Sequence, residues 1–239
     1  MDKGKVGFRL PMMKRERIAG YIYLPIHMFI LPMLIDIVVP GIFYNLNIPL
    51  TDANINLAYY GVSFIFVLIG FFKYLRTSFS YIFDRPLRAL TSAVFGLVLH
   101  YAMLAAISVA MAYFISDLVN PNTEAIINET KINTNSMTVI ALLLAPIVEE
   151  VLFRGVLFGT IRLKSRALAY IVSAIAFALL HLWSNLVMDF EWIKLLYLLQ
   201  YVPGAIVLAW CYERSNTIWS PIVLHMAINF ISLMQTRAL

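Results

Sequence analysis

Long apolar runs alternate with short polar stretches along almost the whole chain. Seven runs stand out: Ile18–Tyr44, Leu57–Phe72, Leu87–Leu118, Met137–Ile161, Ala167–Val187, Trp192–Tyr212 and Thr217–Met234. A helix needs about 20 apolar residues to cross a bilayer. Most of the runs reach or approach that length, and they are continuous rather than alternating. They therefore predict helices and not barrel strands. The third run is too long for one perpendicular span, so it tilts or begins along the interface. Pro32 and Pro40 interrupt the first run, and Pro203-Gly204 falls near the middle of the sixth. The expected fold is all-α, a polytopic transmembrane helical bundle of about seven spans, or eight if the first or third run hides a re-entrant piece.

Composition agrees. The chain is 62% hydrophobic, against about 45–50% for a soluble domain. A single cysteine, Cys211, excludes an internal disulfide framework and a cysteine-based zinc cluster. The net charge of +5 reads as a topology signal rather than as nucleic-acid binding. Lys3, Lys5, Arg9, Lys14, Arg15 and Arg17 precede the first run. If they are cytoplasmic, so are Lys73, Arg76, Arg85, Arg88, Arg162, Lys164, Arg166 and Arg214, while Lys131, Lys194 and Arg237 fall outside. The chain then divides into a basic cytoplasmic arm (1–17), N-terminal membrane helices with an outer loop (18–136), and a membrane core (137–239). The arm has no cleavage-site pattern and is read as retained. No internal repeat is visible.

The fourth run contains Pro146-Ile147-Val148-Glu149-Glu150-Val151-Leu152-Phe153-Arg154-Gly155. On insertion scales each charge at that depth costs at least about 2.5–3.5 kcal/mol. Glu150 and Arg154 are spaced i,i+4 and can pair, which lowers the cost of burying both. Glu149 points elsewhere and is the acid left for general acid/base work. Pro146 removes a helix hydrogen bond just upstream. Gly155 and Gly159 suggest a close helix contact. The fifth run places Phe177 and His181 on one face, with Asn185 a turn further on. The seventh does the same for His225 and Asn229, whose carboxamide could orient a histidine or hold an oxyanion. His27 and His100 lack such partners and read as structural. Asp36 is a looser functional candidate.

Together, Glu149-Glu150-x-x-x-Arg154, Phe177-x-x-x-His181 and His225-x-x-x-Asn229 resemble the three ordered motifs of the CAAX-protease and bacteriocin-processing (Abi) family of intramembrane endopeptidases. The resemblance covers about Pro146 to Asn229. It implies catalytic roles for Glu149, His181, His225 and Asn229, supported by Glu150, Arg154 and Phe177. The family is described both as glutamic and as metalloproteases. The glutamic reading needs no cofactor: Glu149 and His181 activate a water, and His225 with Asn229 stabilises the oxyanion. The alternative is a zinc ion on Glu149, His181 and His225. There is no His-Glu-x-x-His. The implied substrates are transmembrane or lipid-modified peptides, met in membrane lipid. The short chain points to a prokaryotic plasma membrane, with peptide processing or bacteriocin self-immunity as the role. Two other classes use the same residues: a transporter or channel built on the midplane charges, or a non-catalytic immunity or scaffold protein. The missing repeat weighs against the first and the intact motifs against the second.

Overall fold

The computed structural model describes residues 7–114, 120–188 and 191–238, and the described residues contain no strand. In chain order the helices are α1 (Lys14–Leu46), α2 (Asp52–Gly70), α3 (Phe72–Asp84), α4 (Pro86–Phe114), α5 (Pro121–Ile132), α6 (Thr134–Arg162), α7 (Arg166–Met188), α8 (Leu198–Ser215, after a 3₁₀ stretch Trp192–Tyr197) and α9 (Trp219–Ala238). Each of the seven apolar runs is helical over its described residues, apart from Phe71 and the Thr217–Ile218 turn. Five helices are long and apolar enough to cross a membrane: α1, α2, α4, α6 and the helix Leu195–Ser215 that contains α8. The protein is an all-α, polytopic integral membrane bundle.

Contacts at the helix ends fix the directions. At one end Glu16 accepts the Tyr74 N–H at 2.9 Å, Arg9 N–H donates to Asn216 Oδ1 at 3.0 Å, and Ser220 Oγ donates to Ala89 O at 3.2 Å. Arg162 and Arg166 both reach Glu213 there. At the other end Glu129 accepts the Ala53 N–H at 2.9 Å, Asn133 donates to Asn54 at 2.8 Å, and Asn120 donates to Gln200 at 2.6 Å. So α1, α4, α7 and α9 start where α2, α6 and α8 end, and the seven helices alternate. The described basic residues expected on one side, from Arg9 to Arg214, share one end, and Lys3 and Lys5 lie outside the described residues. Lys131 lies at the other, and the side chains of Lys194 and Arg237 are outside the described residues.

Two elements were not foreseen. The stretch between the second and third runs is helix α3, which buries Tyr74, Leu75 and Ser78 on one face. Part of the polar loop is helix α5, whose preceding Asn120 side chain accepts the Asn122 N–H.

Two of the spans, α1 and α6, are not regular α-helices. In α1 (Ile26–Ile30) and in α6 (Ile140–Leu144) the hydrogen-bond ladder widens to the π pattern. Leu31 N–H reaches Ile26 O and Ala145 N–H reaches Ile140 O, one residue further back than an α-helix allows. The next residue in each ladder is a proline, Pro32 or Pro146, which has no N–H to give. The carbonyls left over are His27 and Ala141. In hydrocarbon an unpaired carbonyl is expensive, and each is taken by a neighbouring helix. Tyr59 Oη–H of α2 donates to His27 O at 3.0 Å, and Asn229 Nδ2 of α9 donates to Ala141 O at 2.8 Å.

α6 is the central helix: 72% of its apolar window is buried, against 17% for α4. Its glycines admit close neighbours, though these are not another span. A Cβ on Gly155 would lie 3.0 Å from Tyr74 of α3 and 3.2 Å from Met12, and one on Gly159 would lie 2.8 Å from Leu10. The segment before α1 is therefore packed into the groove that these glycines leave.

Candidate active site

The π pattern returns in α6 over Glu150–Phe158, directly through the acidic motif. Such widened turns frequently mark functional sites. Glu150 and Arg154 are fully buried, and Arg154 Nη1 donates to Glu150 Oε1 at 3.0 Å, the expected i,i+4 pair. Two features add to it. Arg154 Nη2 donates to Ala205 O of α8 at 3.4 Å, and the guanidinium carbon sits 4.1 Å from the Phe177 ring centre. Phe177 thus supports the pair through its π face. The Nδ1 of His225 lies 2.8 Å from the same Glu150 Oε1. Glu150 is therefore shared: it neutralises Arg154 and fixes the His225 ring, leaving Nε2 as the free nitrogen.

Glu149 has different surroundings. Its Oε1 accepts the Tyr60 hydroxyl at 2.7 Å. Its Oε2 is buried with no hydrogen-bond partner, and His225 Nε2 stands 3.9 Å from it. Glu150 Oε2 also lacks a partner, but Glu150 does not line the neighbouring cavity, whereas Glu149 does. That cavity has a volume of about 980 Å³, and Tyr60, Glu149, His181, His225 and Asn229 all border it.

His181 Nδ1 lies 2.9 Å from the Phe177 carbonyl, to which it donates, so Nε2 is its unprotonated nitrogen when the ring is neutral. The ring is held between Phe177 (centroids 4.8 Å apart) and Tyr201 (4.5 Å). Asn229 spends one amide hydrogen on Ala141 O and keeps the other. The side chain of Asn185 lies outside the described residues.

The other sequence candidates separate cleanly. His27 is in a closed network: Tyr23 donates to Ser63, Ser63 to His27 Nδ1, and His27 Nε2 to Tyr59. His100 borders the cavity with Nδ1 unpartnered. Asp36 is exposed at the cavity's margin. Sequence reasoning missed Tyr60 and Tyr201. A tyrosine inside an apolar run carries no signal by itself, and Tyr60 is 89 residues from the acid it binds.

The zinc alternative can be tested on this geometry. Among the described residues no three His, Cys, Asp or Glu side chains converge to hold a metal ion. Within Glu149, His181 and His225, the His225 Nδ1 is committed to Glu150 and Nε2 is 3.9 Å from Glu149. With Nδ1 held by a carboxylate, Nε2 is the nitrogen that His225 would give to a zinc ion.

Residues 131–231 match the family model described as type II CAAX prenyl endopeptidase, Rce1-like. The chain is 31% identical over 87 residues to the UPF0177 protein YxdF of Lactococcus lactis, covering 36% of this chain and 42% of that one. It is 29% identical over 116 residues to the "Putative membrane peptidase YdiL" of Bacillus subtilis, covering 48% of this chain and 43% of that one. The matches thus span less than half the length of these curated relatives. No solved structure matches. The matched stretch holds the acidic motif, His181, His225 and Asn229 in the order the sequence suggested, and over residues 131–231 the chain is similar to the Rce1-like type II CAAX prenyl endopeptidases.

Proposed function

We propose that the protein is an intramembrane endopeptidase acting on transmembrane or lipid-modified peptides. One observation carries the reading. A buried carboxylate, Glu149, is anchored at one oxygen by Tyr60, and its other oxygen is unpartnered beside a cavity that His181, His225 and Asn229 also border. A water between Glu149 Oε2 and His181 Nε2 loses a proton to this base pair, and its oxygen adds to the scissile carbonyl. The proton then passes to the leaving amine. The free amide hydrogen of Asn229 faces the developing oxyanion, and His225, whose Nδ1–H is given to Glu150, adds an Nε2–H to it as the imidazolium. Glu150 and Arg154 hold the His225 ring in place. No step passes through a metal. The family match and the relatives' names support a membrane protease, while these residue roles rest on the geometry alone.

Apolar lining residues such as Ile55, Leu104, Ile140 and Leu208 suit a hydrophobic substrate. The family name suggests prenylated C-termini where these exist, and peptide processing or bacteriocin self-immunity suits a bacterial setting. The clustering of basic residues supports a cytoplasmic N-terminus in a prokaryotic plasma membrane.

The test is cleavage of a peptide library by the purified chain in nanodiscs. Glu149→Gln should reduce turnover by about 10²–10⁴-fold, the usual worth of a general base, with an unchanged melting temperature. A fully active Glu149→Gln protein would sink the assignment. Metal analysis and chelator treatment of the same active sample decide the metal question: the glutamic reading expects full activity without metal.

A further inference from the structure

A second cavity, of about 580 Å³, lies at the basic end of the bundle, where α4 and α7 begin and α8 ends. Arg88, Arg166 and Arg214 line it together with a single acid, Glu213, giving a formal excess of two positive charges. Glu213 is already saturated. It accepts from Arg162 Nε, from Arg166 Nε at 3.0 and 3.1 Å, and from the Tyr170 hydroxyl at 2.8 Å. Among the described residues neither Arg88 nor Arg214 has an acidic partner. Arg214 is oriented by rings instead, its guanidinium carbon 5.2 Å from the Trp210 centroid and 5.9 Å from that of Phe95. Aromatic faces fix the fork without using its N–H groups, which stay available to an anion. Converging guanidiniums repel unless an anion sits between them, and a phosphate matches the fork geometry.

The surroundings select the kind of phosphate. From the pocket towards mid-membrane, α4 presents Leu87, Leu90, Val94 and Val98 at helical spacing, all exposed. In an integral membrane protein that stripe meets acyl chains. Trp210 borders the pocket, and tryptophan is enriched at membrane–water boundaries. A free anion would leave the apolar stripe unused, whereas a phospholipid fills both parts.

We propose that this pocket binds the phosphate of an anionic phospholipid, with its acyl chains along α4. Basic pockets between spans on the charged side of a membrane protein are suited to such head groups. The site is separate from the Glu149 cavity and does not depend on the proposed peptidase activity.

The experiment is native mass spectrometry of the full chain released from nanodiscs of equal phosphatidylglycerol and phosphatidylcholine. Wild type should retain phosphatidylglycerol in preference, and Arg88→Gln/Arg214→Gln should retain about tenfold less of it. Arg88→Lys/Arg214→Lys should fall between the two. Millimolar inorganic phosphate should not displace the lipid. Should the double Gln variant not fold, Arg88→Gln alone, at a partly exposed position, must still lower retention. Equal retention by wild type and a folded Gln variant, equal retention of both lipids, or displacement by inorganic phosphate would each overturn the proposal.

Discussion

Glu150 Oε1 serves two partners, Arg154 at 3.0 Å and His225 at 2.8 Å, inside a fully buried cluster. Removing one partner of such a pair leaves a charge stranded in hydrocarbon. Arg154→Met should therefore cost about 3–5 kcal/mol of stability, and Glu150→Gln/Arg154→Met should recover most of it, as read by unfolding in mixed micelles. Tyr60→Phe deletes only a hydroxyl, yet it frees Glu149 Oε1 as well as Oε2. The expected result is a stability loss of about 1–3 kcal/mol, with a fall in kcat larger than any change in KM, measured in the same peptide assay. The sequence made Glu150 and Arg154 legible as a pair because their spacing is local. It could not show that His225 joins them, since that contact spans 75 positions.

At the level of elements, the apolar runs located the spans because hydrocarbon demands a long continuous stretch whatever the exact helical pitch. Pitch itself was not legible. Regular α-helical phase was assumed through Glu149 and Glu150, while the chain uses the wider π turn there. Pro146 was the available signal, but the proline announces a missing N–H and not which side chain compensates. Helices α3 and α5 went unseen because their polar residues read as connections. The pairing of Pro146 with Asn229 can be measured directly. Asn229→Leu should cost about 1–3 kcal/mol by stranding the Ala141 carbonyl. In a Pro146→Ala background the new N–H can satisfy that carbonyl, so the cost should shrink. A double-mutant cycle with no coupling would contradict this.

For the whole molecule, the alternating direction of the helices gives a topology that labelling can read. Cys211 is buried and should be silent towards a membrane-impermeant thiol reagent. Asn128→Cys, on exposed α5, should label in intact cells. Lys164→Cys, exposed between α6 and α7, should label only after permeabilisation. The reverse pattern would invert the proposed orientation. From Arg9 to Arg214 the described basic residues expected on one side do gather at one end, as the alternation of the apolar runs implied.

The two proline-released carbonyls also limit how the bundle can move. His27 O ties α1 to α2, and Ala141 O ties α6 to α9. Rotating any one of these helices about its own axis would expose a backbone dipole to lipid, at a cost of several kcal/mol. Each couple must therefore shift as a rigid unit. Between the couples, at the proposed base, runs the Tyr60–Glu149 hydrogen bond. Under the proposed function, a peptide that parts the couples at this level breaks that bond, so its entry there and the release of the Glu149 carboxylate are a single displacement.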